Sequence, residues 1–151
     1  MIKLSIDRNN INDMIERGIK LHGHAGPYLN LGIKMGLMAL EMLNVKGYFD
    51  LSIEVELEYR TPISCLLDGL QISTGCTLGK GNIKFKDNHN LVQVFFKTGN
   101  KGLLIVLKPE IDQLLNFEKK TCEDLGQEIL NMTNKELFEC EEIDESSIQN
   151  D

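Results

Sequence analysis

Residues 51–60, LSIEVELEYR, decide the class of fold, because their side chains alternate strictly between apolar and polar. One face of this extended segment carries five apolar or aromatic side chains: Leu51, Ile53, Val55, Leu57 and Tyr59. Such alternation predicts a strand with one buried face and one wet face, which is typical of an antiparallel sheet. Three further strands are predicted between turn residues, at 82–87, 91–98 and 102–108.

Helical patterns flank these strands on both sides. Helices are predicted at 10–21, 27–44, 65–74, 109–120, 122–131 and 133–140. The second of them is apolar nearly all round, which predicts a buried central helix, and the small residues Gly32, Gly36 and Ala39 on one side let another backbone approach closely. The sequence therefore predicts an α+β fold, a mainly antiparallel sheet packed against a long buried central helix with extra helices at both ends.

Length and charge limit the organisation and the partners. The 151 residues fit a single domain, predicted at 1–138. Residues 139–151 hold six acidic residues and no Lys or Arg, so the net charge of −7 falls to −1 without them, and we predict a flexible acidic tail. An acidic protein lacks the basic patch that nucleic acids need, so nucleic acid is not expected as a partner.

The same sequence predicts a protein of the cytoplasm. No signal peptide is expected at the N-terminus, and no membrane span is expected because Lys34 and Glu41 interrupt the apolar helix. Four cysteines form no CxxC pair, which favours a reducing compartment. Cys122 and Cys140 have no histidine near them in sequence, and we interpret both as structural.

Two segments carry candidate metal ligands. His22 and His24 flank Gly23 at a predicted helix end, where an irregular chain can turn both imidazoles toward one point. Cys65 stands at the predicted start of a helix, where the helix dipole favours a thiolate. The alternatives are two loop histidines that bond backbone carbonyls and a cysteine that acts as a small buried apolar residue.

Further polar residues follow Cys65. Asp68 lies one turn along the same helix face, where it could orient a histidine, accept a proton or simply stabilise the helix start. Residues 75–82, GCTLGKGN, lack the spacing of a nucleotide-binding P-loop. The loop could hold an anionic or carbonyl-bearing small ligand, or could be a tight turn into the next strand.

The order of these segments resembles the FmdE-like family, which takes its name from a component of formylmethanofuran dehydrogenase, over roughly residues 17–108. The resemblance lies in HGHAGPYLNLGIKMGLMALEML and in SCLLDGLQISTGCTLGKGNI. It implies an α+β core, commonly dimeric, with His22, His24 and Cys65 around a metal and Asp68 beside them. Two features depart from the family: Ala25-Gly26-Pro27 lacks the cysteine that many members carry there, and the C-terminal zinc finger of larger members is absent.

The resemblance leaves two functions open. The first is an enzyme-like protein with an open His-His-Cys site for zinc, or for nickel or iron, and Asp68 as the candidate catalytic residue. Its ligand would be a one-carbon, pterin-like or similar small molecule, bound by Gln71, Thr74, Cys76, Thr77 and Lys80. Cys76 joins that site only if the chain folds back at Gly75. The second is a non-catalytic accessory protein of a larger redox complex, such as one related to formylmethanofuran dehydrogenase.

Overall fold

The computed structural model describes residues 4–117 and 119–144. Six helices lie within them: α1 (Ile11–His22), α2 (Pro27–Leu43), α3 (Leu66–Thr74, entered through a 3₁₀ turn at Ile63–Cys65), α4 (Pro109–Phe117), α5 (Cys122–Asn131) and α6 (Asn134–Leu137). The five strands are β1 (Ser52–Leu57), β2 (Ile83–Asp87), β3 (Gln93–Thr98), β4 (Lys101–Leu107) and β5 (Phe138–Asp144). This is the predicted α+β class.

The five strands form one sheet in the order β2-β1-β3-β4-β5. The pairs β1–β3, β3–β4 and β4–β5 are antiparallel, and only the pair β1–β2 is parallel. The chain enters β2 from β1 through α3, since a parallel pair needs a crossover connection. The sheet is therefore mainly antiparallel, as predicted.

Helix α2 is buried along most of its length, with twelve of its seventeen residues in the interior. It contacts α3, α5 and β4. A Cβ placed on Gly32 would lie 2.9 Å from the backbone N of Leu70, and one on Gly36 would lie 2.9 Å from Ser73 Cβ. The predicted close approach along this small-residue face is confirmed at both glycines.

The C-terminal segment differs from the prediction. Only Asn134–Leu137 is helical in the segment predicted as a helix at 133–140, and Phe138–Asp144 pairs with β4 as an edge strand. Residues 139–144 therefore belong to the sheet rather than to a flexible tail, because the backbone of β4 offers an open row of hydrogen-bonding groups. The rest of the predicted tail, 145–151, lies outside the described residues.

The first strand is also shorter than its alternating pattern. β1 ends at Leu57, and Tyr59 is 59% exposed, although the alternation placed it with the buried face. Its ring stacks on Phe85 at 4.4 Å, and its N–H donates to Asp87 at 2.8 Å. The chain turns here toward α3 and leaves the sheet.

Within the described part of the chain, no helix combines the length and apolar character that a membrane-spanning segment needs.

Candidate functional site

The two candidate histidines lie at the corner between α1 and α2. Helix α1 ends at His22, and Gly23 follows in a left-handed conformation (φ 102°) with its N–H donating to Ile19 O at 2.7 Å. Pro27 opens α2 after an extended Gly26. Glycine takes a positive φ without steric strain, so this corner separates the two histidines from one continuous helix.

The imidazoles of His22 and His24 lie side by side, with ring centroids 4.7 Å apart and planes tilted by 45°. His22 Nδ1 lies 2.6 Å from Asp68 Oδ2, and His24 Nδ1 lies 2.8 Å from the carbonyl oxygen of Ala25. Both partners are acceptors, so each Nδ1 donates its proton. A neutral imidazole held in this way keeps its free lone pair on Nε2, which suits a metal ligand.

Asp68 connects the histidine corner with α3, the two segments in which the sequence predicts metal ligands. The side chain of His22 is 12% exposed and that of Asp68 37% exposed, so the hydrogen bond between α1 and α3 is partly shielded from water. A carboxylate that holds the far nitrogen of a histidine is a common second partner at metal sites. The loop contact of His24 with a backbone carbonyl matches the alternative interpretation of that residue.

Cys65 is half-buried at the start of α3. Burial raises the pKa of its thiol, and the nearby charge of Asp68 raises it further. The prediction that the helix start favours a thiolate at Cys65 is therefore wrong in this environment, because loss of hydration and the charge of Asp68 outweigh the helix end.

The chemistry of these donors fits a divalent cation only in part. Two imidazoles with free Nε2 atoms and a nearby thiol are ligands that zinc, nickel or iron accept. Among residues 4–117 and 119–144, however, no group of three or more His, Cys, Asp or Glu side chains is arranged to hold a metal ion. The structure thus brings together His22, His24 and Asp68 and does not bring Cys65 into a three-ligand set with the imidazoles.

The predicted small-molecule residues lie at the opposite end of α3. Helix α3 ends at Thr74, and Gly75 caps it in a left-handed conformation. The nine residues of the helix span about 13 Å at 1.5 Å per residue. The end that carries Thr74 and Cys76 is therefore separated by about that length from the end that carries Cys65.

Two of these residues are buried and already bonded. Thr74 Oγ1 donates to Leu70 O at 2.6 Å and accepts from the N–H of Cys76 at 3.1 Å. Cys76 is fully buried, and its thiol donates to Leu51 O at 3.4 Å. Burial raises the pKa of this thiol. Cys76 thus contacts Leu51, the residue directly before β1.

The other three residues hold the Gly-rich loop together. Gln71 Oε1 accepts from Leu78 N at 3.2 Å, and Thr77 Oγ1 accepts from the N–H of Lys80 at 3.2 Å. The Lys80 ammonium donates to Gly75 O and lies 5.4 Å from the centre of the Phe49 ring. These contacts describe a tight, internally bonded turn, which was the alternative interpretation of this loop.

An open groove of about 340 Å³ lies elsewhere, on the sheet. It is lined by charged and apolar side chains, including Glu54, Glu56, Lys84, Lys86, Phe95 and Leu104. None of the residues that the sequence suggested for the site lines this groove. The chemistry-bearing side chains and this cavity are therefore different places on the molecule.

Cys122, which is interpreted above as structural, is exposed at the first residue of α5. Cys140 is likewise exposed, on β5.

Comparison with known proteins relates the chain to a curated protein and to a family. A curated relative from Archaeoglobus fulgidus, named "Probable S-adenosyl-L-methionine-binding protein", is 30% identical over 105 residues. That match covers 68% of this chain but 29% of the relative, so the chain spans less than a third of that protein's length. The family described as "FmdE, Molybdenum formylmethanofuran dehydrogenase operon" matches residues 21–139, which include the histidine corner, α3 and the strands β1 to β4. The chain belongs to the FmdE family.

Proposed function

We propose that this protein is metal-associated and that His22, His24 and Cys65 hold a divalent cation, with zinc as the first candidate and nickel or iron as alternatives. The observation that carries the proposal is the contact of 2.6 Å between His22 Nδ1 and Asp68 Oδ2. It leaves Nε2 of His22 as the ligating nitrogen, 46 residues away in sequence from the carboxylate that orients it.

The residues around the cation have separate tasks in this proposal. Asp68 fixes the ring of His22, and the Ala25 carbonyl fixes the ring of His24. Cys65 adds a soft sulfur donor once its thiol has lost its proton. A cation in an open three-ligand site would supply Lewis-acid chemistry, such as polarising a carbonyl or lowering the pKa of bound water. Since no three-donor group is assembled among the described residues, metal binding must draw the thiol and the imidazoles together.

A metal titration tests this assignment. We expect the chelator-treated protein to bind about one Co²⁺ or Zn²⁺ per chain by calorimetry, with a cobalt spectrum that shows sulfur coordination. His22→Ala and Cys65→Ser should weaken binding by at least tenfold, and Asp68→Asn by about 10–100-fold, the usual effect of removing the partner of a ligating histidine.

The chain offers matched controls for both residue types. His89 is a surface histidine that also bonds a carboxylate, Asp87 Oδ2 at 3.1 Å, and Cys140 is an exposed cysteine on β5. His89→Ala and Cys140→Ser should bind metal as the wild type does. Unchanged affinity in both His22→Ala and Cys65→Ser would remove the ligand assignment.

The small-molecule part of the proposal is a second step. The ligand class we propose is a one-carbon or pterin-like compound, and the name of the relative makes S-adenosylmethionine the first compound to titrate. Its proposed contacts are Gln71 and Thr74 of α3 and Cys76, Thr77 and Lys80 of the loop that follows. Lys80→Met should weaken binding of that ligand without changing the affinity for zinc. An unchanged affinity for the ligand would exclude the loop as its binding site.

The alternative function is an accessory protein without turnover. The family description, which names the operon of a molybdenum enzyme, favours a protein that works beside a larger complex. Co-purification of the tagged full chain with a redox enzyme, together with no activity on one-carbon compounds, would favour it. A homodimer remains a prediction, which light scattering on the purified chain measures directly.

A further inference from the structure

We propose that two copies of this chain pack face to face through their sheets, with the lysine-bearing edge of each sheet against the glutamate-bearing edge of the other. The surface is the face of the sheet that is turned away from the buried core. This inference rests on the homodimer predicted above and assigns the surface that forms it. It does not depend on the proposed metal site.

The two faces of the sheet differ in burial. Alternate side chains of a strand point to opposite faces. On β1, β3 and β4 one set is buried in the hydrophobic core: Ile53, Val55, Val94, Phe96, Leu103 and Ile105. The other set is half-buried or exposed. The register of the strands places that second set in two rows, which we call the outer face: Lys84–Glu54–Phe95–Leu104–Glu141 and Lys86–Glu56–Gln93–Val106–Glu139.

Strand β4, KGLLIVL, is apolar on both of its faces. Leu103 and Ile105 belong to the core, while Gly102, Leu104 and Val106 alternate with them on the opposite side. A strand with one wet face normally alternates apolar and polar residues, whereas a strand covered on both faces is a nearly continuous apolar run. Leu104 and Val106 are nevertheless only half-buried in the single chain. The sequence of β4 therefore indicates that something covers the outer face.

An aromatic ring lies across the apolar centre of the outer face. A Cβ on Gly102 would lie 2.8 Å from Cζ of Phe95 and 3.5 Å from Cβ of Ile143, so the Phe95 ring rests on the backbone of β4. Phe95 and Leu104 also line the groove of about 340 Å³. Contiguous apolar surface with a rim of charged residues is typical of a protein interaction site.

Charges of opposite sign stand at the two edges of the outer face. Lys84 and Lys86 on β2 are exposed, and so are Glu139 and Glu141 on β5. None of these four side chains makes a hydrogen bond or an ion pair in the described part of the chain. Four strand spacings of about 4.8 Å place the two edges about 19 Å apart. That is more than twice the Debye length of about 8 Å in physiological salt, so the edges do not neutralise each other within one chain.

A second copy brings opposite edges together. In a symmetric dimer, a two-fold axis that runs along the strands between two stacked sheets places β3 over β3 and β2 over β5 of the second copy. Lys84 then faces Glu141 of the second copy, and Lys86 faces Glu139, so the contact occurs twice in each dimer. An axis across the strands would instead place lysine on lysine and glutamate on glutamate, which is unfavourable. The charges therefore select the first arrangement.

The middle of the outer face fits the same arrangement. Stacked sheets pack about 10 Å apart with their strands aligned within about 30°. The two Phe95 rings then lie near the axis, and β1 faces the apolar β4 of the second copy. The two acids of β1 do not enter this contact unpaired: Glu56 accepts a hydrogen bond from Gln93 Nε2, and Glu54 stands in register beside Lys84.

Charge reversal tests both the surface and its orientation. Analytical ultracentrifugation of the full chain at low salt should give twice the chain mass of 17.1 kDa for the wild type. Lys84→Glu/Lys86→Glu and Glu139→Lys/Glu141→Lys should each raise the dissociation constant of the dimer at least tenfold, because both edge contacts become repulsive. An equimolar mixture of the two variants should restore the dimer, since every edge then faces one of opposite charge.

Arg17→Glu/Lys20→Glu is the matched control. It changes the net charge by the same amount at two exposed residues of α1, away from the sheet. It should dimerise as the wild type does. All of these variants alter exposed side chains outside the proposed metal ligands, so they should also keep the wild-type affinity for zinc.

Each outcome has a defined meaning. A monomeric wild type would overturn this inference together with the homodimer, would leave the outer face to a different protein, and would not touch the metal proposal. A dimer that withstands both charge reversals would keep the homodimer and overturn the outer face as its surface. Two monomeric variants that stay monomeric when mixed would overturn the pairing of opposite edges.

Discussion

Gly69→Ala tests the contact on which both the core and the site depend. At Gly69 the backbones of α2 and α3 touch: an added Cβ would lie 2.8 Å from Ile33 N and 2.9 Å from Gly32 Cα, and it would overlap the carbonyl oxygen of Leu29. Ordinary contacts of a Cβ begin near 3.4 Å. Because the atoms in the way are backbone, no side chain can rotate aside, and the helices must separate by several tenths of an ångström or more.

The expected loss follows from two opposing effects. Overpacking a tight interface costs about 1–3 kcal/mol, and the backbone clash places this variant near the upper value. Alanine is favoured over glycine in a helix interior by about 1 kcal/mol. The net expectation is a loss of about 2 kcal/mol in the free energy of unfolding, or about 4–8 °C in melting temperature for a chain of this size.

Urea unfolding followed by circular dichroism measures this change. Gly79→Ala is the matched control, since its Cβ would meet nothing nearer than Thr77 Oγ1 at 3.9 Å. A separated α3 should also lengthen the bond between Asp68 and His22 and weaken zinc binding. If Gly69→Ala were as stable as Gly79→Ala, the close helix contact would not exist in the protein and the placement of α3 would be wrong.

Two further predictions concern stability. Burial and the hydrogen bond to Asp112 raise the pKa of Tyr28 above its ordinary value of 10.0, so above that pH the folded chain holds a proton that the unfolded chain loses, and stability falls as pH rises. Tyr28→Phe should flatten the fall between about pH 10 and pH 11, as measured by urea unfolding at each pH. Thr133→Ala removes the capping box with Glu136 at the start of α6. We expect the free energy of unfolding to fall by about 1 kcal/mol in the same assay. An unchanged midpoint would show that α6 does not depend on its cap.

Periodicity predicted most of the fold because most segments bury one regular face. The strand at 51–60 and the apolar helix at 27–44 carry signals that depend only on near neighbours in sequence. The segment 138–144, FECEEID, has no apolar face of its own and is typical of an acidic terminus. It becomes a strand because β4 offers a free backbone edge, which is a contact between distant parts of the chain and leaves little trace in local sequence.

The candidate site was also predictable only where it depends on near neighbours in sequence. Gly23 marks the end of a helix, so the convergence of His22 and His24 could be inferred from a local rule. The raised pKa of the Cys65 thiol could not be inferred, because it comes from burial, which depends on contacts between distant parts of the chain. Local sequence predicts which donors exist, and helix packing decides which of them meet and in what protonation state.

One physical feature connects the fold to the proposed chemistry. Helix α2 is mostly apolar and supplies none of the proposed metal ligands. The imidazoles instead lie at the corner that precedes its first residue, Pro27. The neighbouring helices approach it through Gly69, which meets the backbone of α2, and through Gly126, which meets the Asn30 side chain and the backbone of Gly26. Asp68 directly precedes Gly69, so this close packing also positions the carboxylate that bonds His22. The arrangement requires the site to weaken whenever the helices are forced apart, even by a substitution that touches no donor.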